Sequence, residues 1–142
     1  MDRKALQSLS LLRIREAEAL LSAQYFSGAY YLAGYSVECG IKACIASSIK
    51  RHVVQQKGFE GKFFIHNLDE LAKHAGLISN KKLAMTKHQL SLRSQIEVNW
   101  ATVKDWKETA RYSEWSEQEA RDLVAAVNDP NEGVFQWVQA HW

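Results

Sequence analysis

The chain has 142 residues, 46% of them apolar, with a single proline and a net charge of +2 from 18 basic and 16 acidic side chains. That length supports one domain, residues 1–142, with its own hydrophobic core. The even charge balance gives no general reason to expect nucleic acid, though it leaves room for a local basic patch, and no window approaches 18 continuous apolar residues, which excludes a membrane-spanning helix.

In chain order, the first predicted helix runs from Arg3 to Ala23. Leu6, Leu9, Ile14, Ala17 and Leu21 give it an apolar stripe of helical period. Its charges make it a helix rather than an export signal, so a cytoplasmic location is expected. Tyr25 to Gly28 form a turn, and Ser27 is positioned to cap the next helix. That second helix is predicted from Ala29 to Gln56. Gly34 and Gly40 sit inside it, each costing about 1 kcal/mol of helix propensity, which points to close helix packing there or to a kink. Residues 57–62, KGFEGK, read as a loop.

A short helix follows from Asn67 to Ala75, with Asn67 as N-cap, Glu70 in the capping-box position and Gly76 as terminator. Another is expected from Ser79 through Val98, with Leu83, Leu90 and Ile96 facing the core. Residues 99–115 pack Trp100, Trp106 and Trp115 around Lys104, Lys107 and Arg111. They read as a loop with helical turns. It is either a lid over the core, a partner surface or a base-stacking platform. A last helix starts at Ser116, with Glu119 completing a capping box, and Asp129-Pro130 bends or ends it before Val134, Phe135, Trp137 and Val138. The sum is an all-α, up-and-down bundle of about five helices.

Four residues of the second helix carry the chemistry. Tyr31, Tyr35, Glu38 and Lys42 are spaced by four, three and four, so they share one face of an otherwise apolar helix. A buried Glu or Lys must be paired or poised over a cleft. Three readings stand: a local Glu38–Lys42 pair, a structural pair with a distant arginine, or a ligand or catalytic role. Arg111 or Tyr112 is the expected cross-bundle partner of Glu38, an arrangement that would lower the Glu38 pKa. Lys42 is expected to snorkel at the helix edge. Tyr31 and Tyr35 read as core or dimer-interface aromatics rather than base-stacking groups. His66, just before an N-cap, reads as a donor to loop carbonyls. Cys39 and Cys44 point different ways and read as reduced, partly buried thiols. No metal spacing is present, and no cofactor is expected.

The run from Ala17 to Ala43, AxALLxAxYFSGAYYLAGYSVECGIKA, resembles the HEPN superfamily (higher eukaryotes and prokaryotes nucleotide-binding domain). His66-Asn67-Leu68 with Leu71, and Trp106 followed by Arg111-Tyr112, are similar to weaker runs in that family. The resemblance covers about residues 5 to 138 and implies a helical bundle that dimerises. It also implies one of three roles: metal-independent ribonuclease, partner of a nucleotidyltransferase-like protein in a toxin–antitoxin pair, or nucleotide- or RNA-binding module. The family's ribonuclease motif is Arg, four to six residues, then His, and no arginine of this chain is followed by histidine at that distance. Lys82 and His88 have the gap, but lysine lacks the planar fork of arginine. The expectation is therefore a non-catalytic HEPN-type homodimer that binds nucleotide, RNA or a nucleotidyltransferase-like protein. The alternatives are a divergent ribonuclease built on Arg111, His66, Glu38 and Lys42, and a helical interaction protein without a ligand.

Overall fold

The computed structural model describes residues 2–51, 64–78 and 94–142, and these are helical with no strand among them. Six α-helices lie among the described residues: α1 Arg3–Ser22, α2 Phe26–Arg51, α3 Leu68–His74, α4 Gln95–Val103, α5 Glu117–Asn128 and α6 Val134–Gln139. A 3₁₀ turn, Glu108–Tyr112, lies between α4 and α5. The expected loop at 57–62 lies outside the described residues, as do the end of the second helix beyond Arg51, the Ser79 helix start with Leu83 and Leu90, and the Lys82–His88 pair.

α1 and α2 form an antiparallel hairpin. Arg3 Nη1 donates to Ser47 Oγ at 3.3 Å, and Ser10 Oγ donates to the Ser36 carbonyl at 2.6 Å, so the sequence numbers run in opposite directions along the contact. The turn between them is a Schellman closure. Tyr25 N–H reaches the Leu20 carbonyl, Gln24 N–H reaches the Leu21 carbonyl, and Gln24 takes φ 67° to let them meet. α3 ends the same way, with Leu77 N–H on Ala72 and Gly76 N–H on Lys73, but there a glycine holds the left-handed position at φ 74°.

Two boundaries differ from expectation. α2 starts at Phe26, not Ala29, so Ser27 is inside the helix and does not cap it. Its Oγ accepts the N–H of Trp115 at 2.8 Å, tying the chain before α5 to α2. α4 runs to Val103, so Trp100 is helical rather than in a loop. In α1 the buried positions are Leu6, Ser10, Ile14 and Ala17, with Ser10 inside in place of Leu9. Ser10 is tolerated there because its hydroxyl is satisfied by Ser36.

α2 is the axis of the fold. Ala29, Ala33, Val37, Ile41, Cys44 and Ile45 are buried along it against Ile14, Leu71, Leu123, Val127 and Val138. Burying each of the larger aliphatic side chains is worth about 1.5–3 kcal/mol. Gly34 receives the Trp106 ring and Gly40 lies against Val138 and Ser10, so both glycines are close-packing positions, as their sequence setting implied. Cys39 and Cys44 are free and buried, and Cys44 Sγ donates to the Val138 carbonyl at 3.4 Å. The capping box at Ser116–Glu119 is complete. At α3 only half of the expected box forms: Asn67 accepts from Glu70 N–H at 2.9 Å, while the Glu70 carboxylate lies 3.7 Å from His74.

Candidate functional site

The polar face of α2 meets the loop before α3 and the 3₁₀ turn. Tyr31 and Tyr35 stack with centroids 5.9 Å apart, and Tyr31 also stacks on Trp106 at 5.8 Å. One turn further along, Glu38 is 2% exposed, and its Oε1 lies 3.6 Å from Lys42 Nζ and 2.6 Å from His66 Nδ1. The other ring nitrogen of His66, Nε2, lies 3.1 Å from Glu108 Oε2. The result is a chain of groups, Lys42–Glu38–His66–Glu108, that starts in the core and ends at a half-exposed carboxylate.

This geometry revises four expectations. Glu38 is held by His66 and Lys42, not by Arg111 or Tyr112. Its pKa is raised rather than lowered, because burial of the carboxylate outweighs the attraction of Lys42 and the hydrogen bond and charge of His66. Lys42 does not snorkel, since its side chain is 11% exposed and turned toward Glu38. His66 gives its ring to two carboxylates rather than to loop carbonyls.

Arg111 sits on the rim. Its guanidinium carbon is 4.9 Å from the Tyr112 ring centroid, and hydrogen bonding to the Tyr112 side chain and then to Tyr31 holds its pKa above the ordinary arginine value. It forms no ion pair with a carboxylate among the described residues. Tyr112 is 77% exposed. In a 3₁₀ helix residues three apart eclipse, so Glu108 and Arg111 share an edge of the turn, about 6 Å apart along its axis. The turn therefore brings the acid that holds His66 and the free cation to one face. Glu108 is the residue that sequence reasoning missed. The available signal was its place three before Arg111 in a turn-prone, Trp-flanked segment.

The tryptophans divide by role. Trp106 is in the core at 1% exposure, Trp115 stacks on Tyr30 at 3.8 Å, and Trp100 meets Trp137 edge-on at 5.5 Å. Burial pushes the Tyr35 hydroxyl up to about 12, with Cys39 beside it adding to the shift. Burial also pushes the Cys39 thiol up to about 11.

Among the described residues no group of three His, Cys, Asp or Glu side chains is arranged to hold a metal ion. Glu38 and Glu108 approach opposite edges of the imidazole instead of converging on one point. A shallow groove of about 460 Å³ between α1 and α5, lined by Glu18, Leu21, Arg121 and Val124, is formed by residues outside this cluster. Among the described residues no helix is long and apolar enough to cross a membrane.

Comparison of the chain with protein-family models, curated proteins and solved structures returned no match. Among the described residues, fold and site together define a helical bundle with a buried glutamate held by a partly exposed histidine and an arginine–tyrosine rim.

Proposed function

We propose that the protein is a non-catalytic, HEPN-type helical module that binds RNA or a nucleotide through the Arg111–Tyr112 rim. In this reading it acts in the cytoplasm as a homodimer, alone or beside a nucleotidyltransferase-like protein. The observation that carries the reading is Arg111 itself: an exposed guanidinium without a carboxylate partner among the described residues, beside a tyrosine that is 77% exposed. Unpaired cations attract phosphate, and an exposed aromatic face gives a base about 1–3 kcal/mol of stacking. Exposed Lys104 and Lys107 on the same segment add to the attraction. In this arrangement both nitrogens of His66 face carboxylates, so the ring presents neither to a substrate, which favours binding over catalysis.

The test is fluorescence anisotropy with labelled single-stranded RNA and with a labelled adenine nucleotide, at low and high salt, for wild type and Arg111→Ala. Binding that weakens with salt and is lost in Arg111→Ala is expected. Equal binding by both proteins overturns the assignment of the rim, and no binding of either probe favours a helical interaction protein without a ligand. A parallel incubation with RNA and EDTA is expected to leave the RNA intact. Cleavage by wild type that is lost in an Arg111→Ala, His66→Ala double variant would replace this reading with a divergent metal-independent ribonuclease.

A further inference from the structure

His66 joins three elements with one ring. Nδ1 reaches Glu38 of α2, Nε2 reaches Glu108 of the 3₁₀ turn, and the residue itself stands in the loop that leads into α3. Both partners are carboxylates, and the two arms differ sharply in burial. Glu38 is 2% exposed, whereas the Glu108 side chain is 36% exposed.

We infer that the Glu38–His66 pair is a proton-operated clasp on the Glu108–Tyr112 turn: holding its proton, the pair ties the turn to α2, and losing it, the pair keeps its buried arm and releases Glu108.

With one proton beyond the neutral ring and the bare carboxylate, two arrangements exist, and both keep both arms. In one, the ring is cationic and donates from Nδ1 to Glu38 and from Nε2 to Glu108. In the other, Glu38 is protonated and donates to Nδ1, while Nε2–H still donates to Glu108. The two share heavy-atom positions, so the proton belongs to the pair rather than to either group. Remove that proton and a single N–H must serve two carboxylates. A bare Glu38 carboxylate would be left in the core with only Lys42, 3.6 Å away, whereas water can take over at Glu108. The hydrogen therefore stays on Nδ1. Nε2 then turns a lone pair toward the Glu108 oxygen, and that contact is repulsive.

The charged and titratable groups facing the clasp are Glu38 and Lys42 from α2, with the Tyr35 hydroxyl and Cys39 thiol of α2 beside Glu38 and both pushed up by burial, and Glu108 from the turn, with Arg111 one 3₁₀ turn further along. In this arrangement neither Lys42, turned to Glu38, nor Arg111, turned to Tyr112 and Tyr31, donates to Glu108, so the His66 ring is the donor that holds it. Release thus acts on the segment that presents Arg111 and Tyr112 to solvent. This release concerns the turn and not a ligand, and it operates whether or not the rim binds RNA or a nucleotide.

The experiment is a ¹H–¹⁵N NMR titration of the full chain from about pH 5 to about pH 9, the span in which histidine ordinarily changes charge. It follows the His66 ring nitrogens together with the backbone amides of Ala110 and Ser113, which close the turn on Lys107 and Ala110. One shared midpoint for ring and amides is expected. The second protein is Glu108→Gln, on the exposed arm, where the fold is least at risk. A glutamine can accept from Nε2–H or donate to its lone pair by flipping its amide, so it holds the turn in either state. In that variant His66 should still titrate while the Ala110 and Ser113 response disappears. Turn amides that ignore the His66 midpoint in wild type, or that follow it equally in Glu108→Gln, overturn the clasp.

Discussion

Trp106 lies flat on Gly34. A β-carbon built at residue 34 would fall 2.2–2.3 Å from the Cδ1, Cγ and Nε1 atoms of the indole. The ring is 1% exposed and also stacks on Tyr31, so it has nowhere to go. Gly34→Ala is expected to destabilise the fold by about 1–3 kcal/mol through overpacking, after gaining about 1 kcal/mol of helix propensity. Gly28 is the internal control. There the nearest obstacle is a Leu20 methyl at 3.1 Å, the mobile end of a side chain, so Gly28→Ala should be neutral or stabilising. Urea unfolding of the two variants beside wild type reads the difference directly.

Glu38 and Lys42 should behave as a coupled pair. Glu38→Gln removes the charge opposite a lysine that is nearly out of water, and a loss of about 3 kcal/mol is expected for breaking such a pair. Adding Lys42→Met to Glu38→Gln should recover part of that loss, because the uncompensated charge goes with the lysine. A double-mutant cycle measures the coupling. Strict additivity of the two single changes would show that they do not interact.

Gln24 holds a left-handed conformation, at φ 67°, that costs a residue with a β-carbon about 1–2 kcal/mol. Gln24→Gly removes that strain at the price of a more flexible unfolded chain. The melting temperature should therefore rise modestly. An unchanged or lower value would mean that the Gln24 side chain contributes something the turn geometry does not reveal.

Stability should fall at alkaline pH. Folding holds the Cys39 thiol up to about 11 and the Cys44 thiol up to about 12 through burial, against an ordinary value of 9.0. Tyr35 is held up to about 12 against 10.0. Between the ordinary and the raised values the folded chain keeps protons that the unfolded chain has lost. The contribution is full below about pH 9 and declines as pH rises, which is the sign required when the native state binds more protons. Glu38 has the same sign at the acid end, where its contribution shrinks as pH rises above 4.5. Denaturant midpoints from about pH 8 to 11 test this, and Cys44→Ala should flatten the slope.

What the sequence made legible was local. Ser116 with Glu119 and Asn67 with Glu70 are separated by three residues, and the hydrogen bonds they form or half-form depend on little else. The shared face of Tyr31, Tyr35, Glu38 and Lys42 follows from helical spacing alone, and the structure keeps it. The partner of Glu38 was not legible. His66 lies 28 residues away, and which of His66, Arg111 and Tyr112 arrives depends on how α3 and the 3₁₀ turn dock. The start of α2 at Phe26 is hidden in the sequence because Ser27 and Gly28 have the composition of a helix entry. The left-handed residue that closes α1 is Gln24, a type that rarely marks such a position, and Ser27 serves a tryptophan 88 residues on.

The line of polar groups on α2 also fixes what that helix tolerates in evolution. Each residue advances the helix by about 100° and 1.5 Å. One residue inserted between Tyr35 and Glu38 would leave Tyr31 on Trp106 and Tyr35 on Tyr31 but swing the carboxylate about 100° away from His66. Substitutions along α2 can be absorbed one at a time, but a change of length cannot. Sequences sharing this arrangement should therefore vary in side chains along α2 and not in the number of residues from Tyr31 to Lys42, with insertions and deletions confined to the connections between helices.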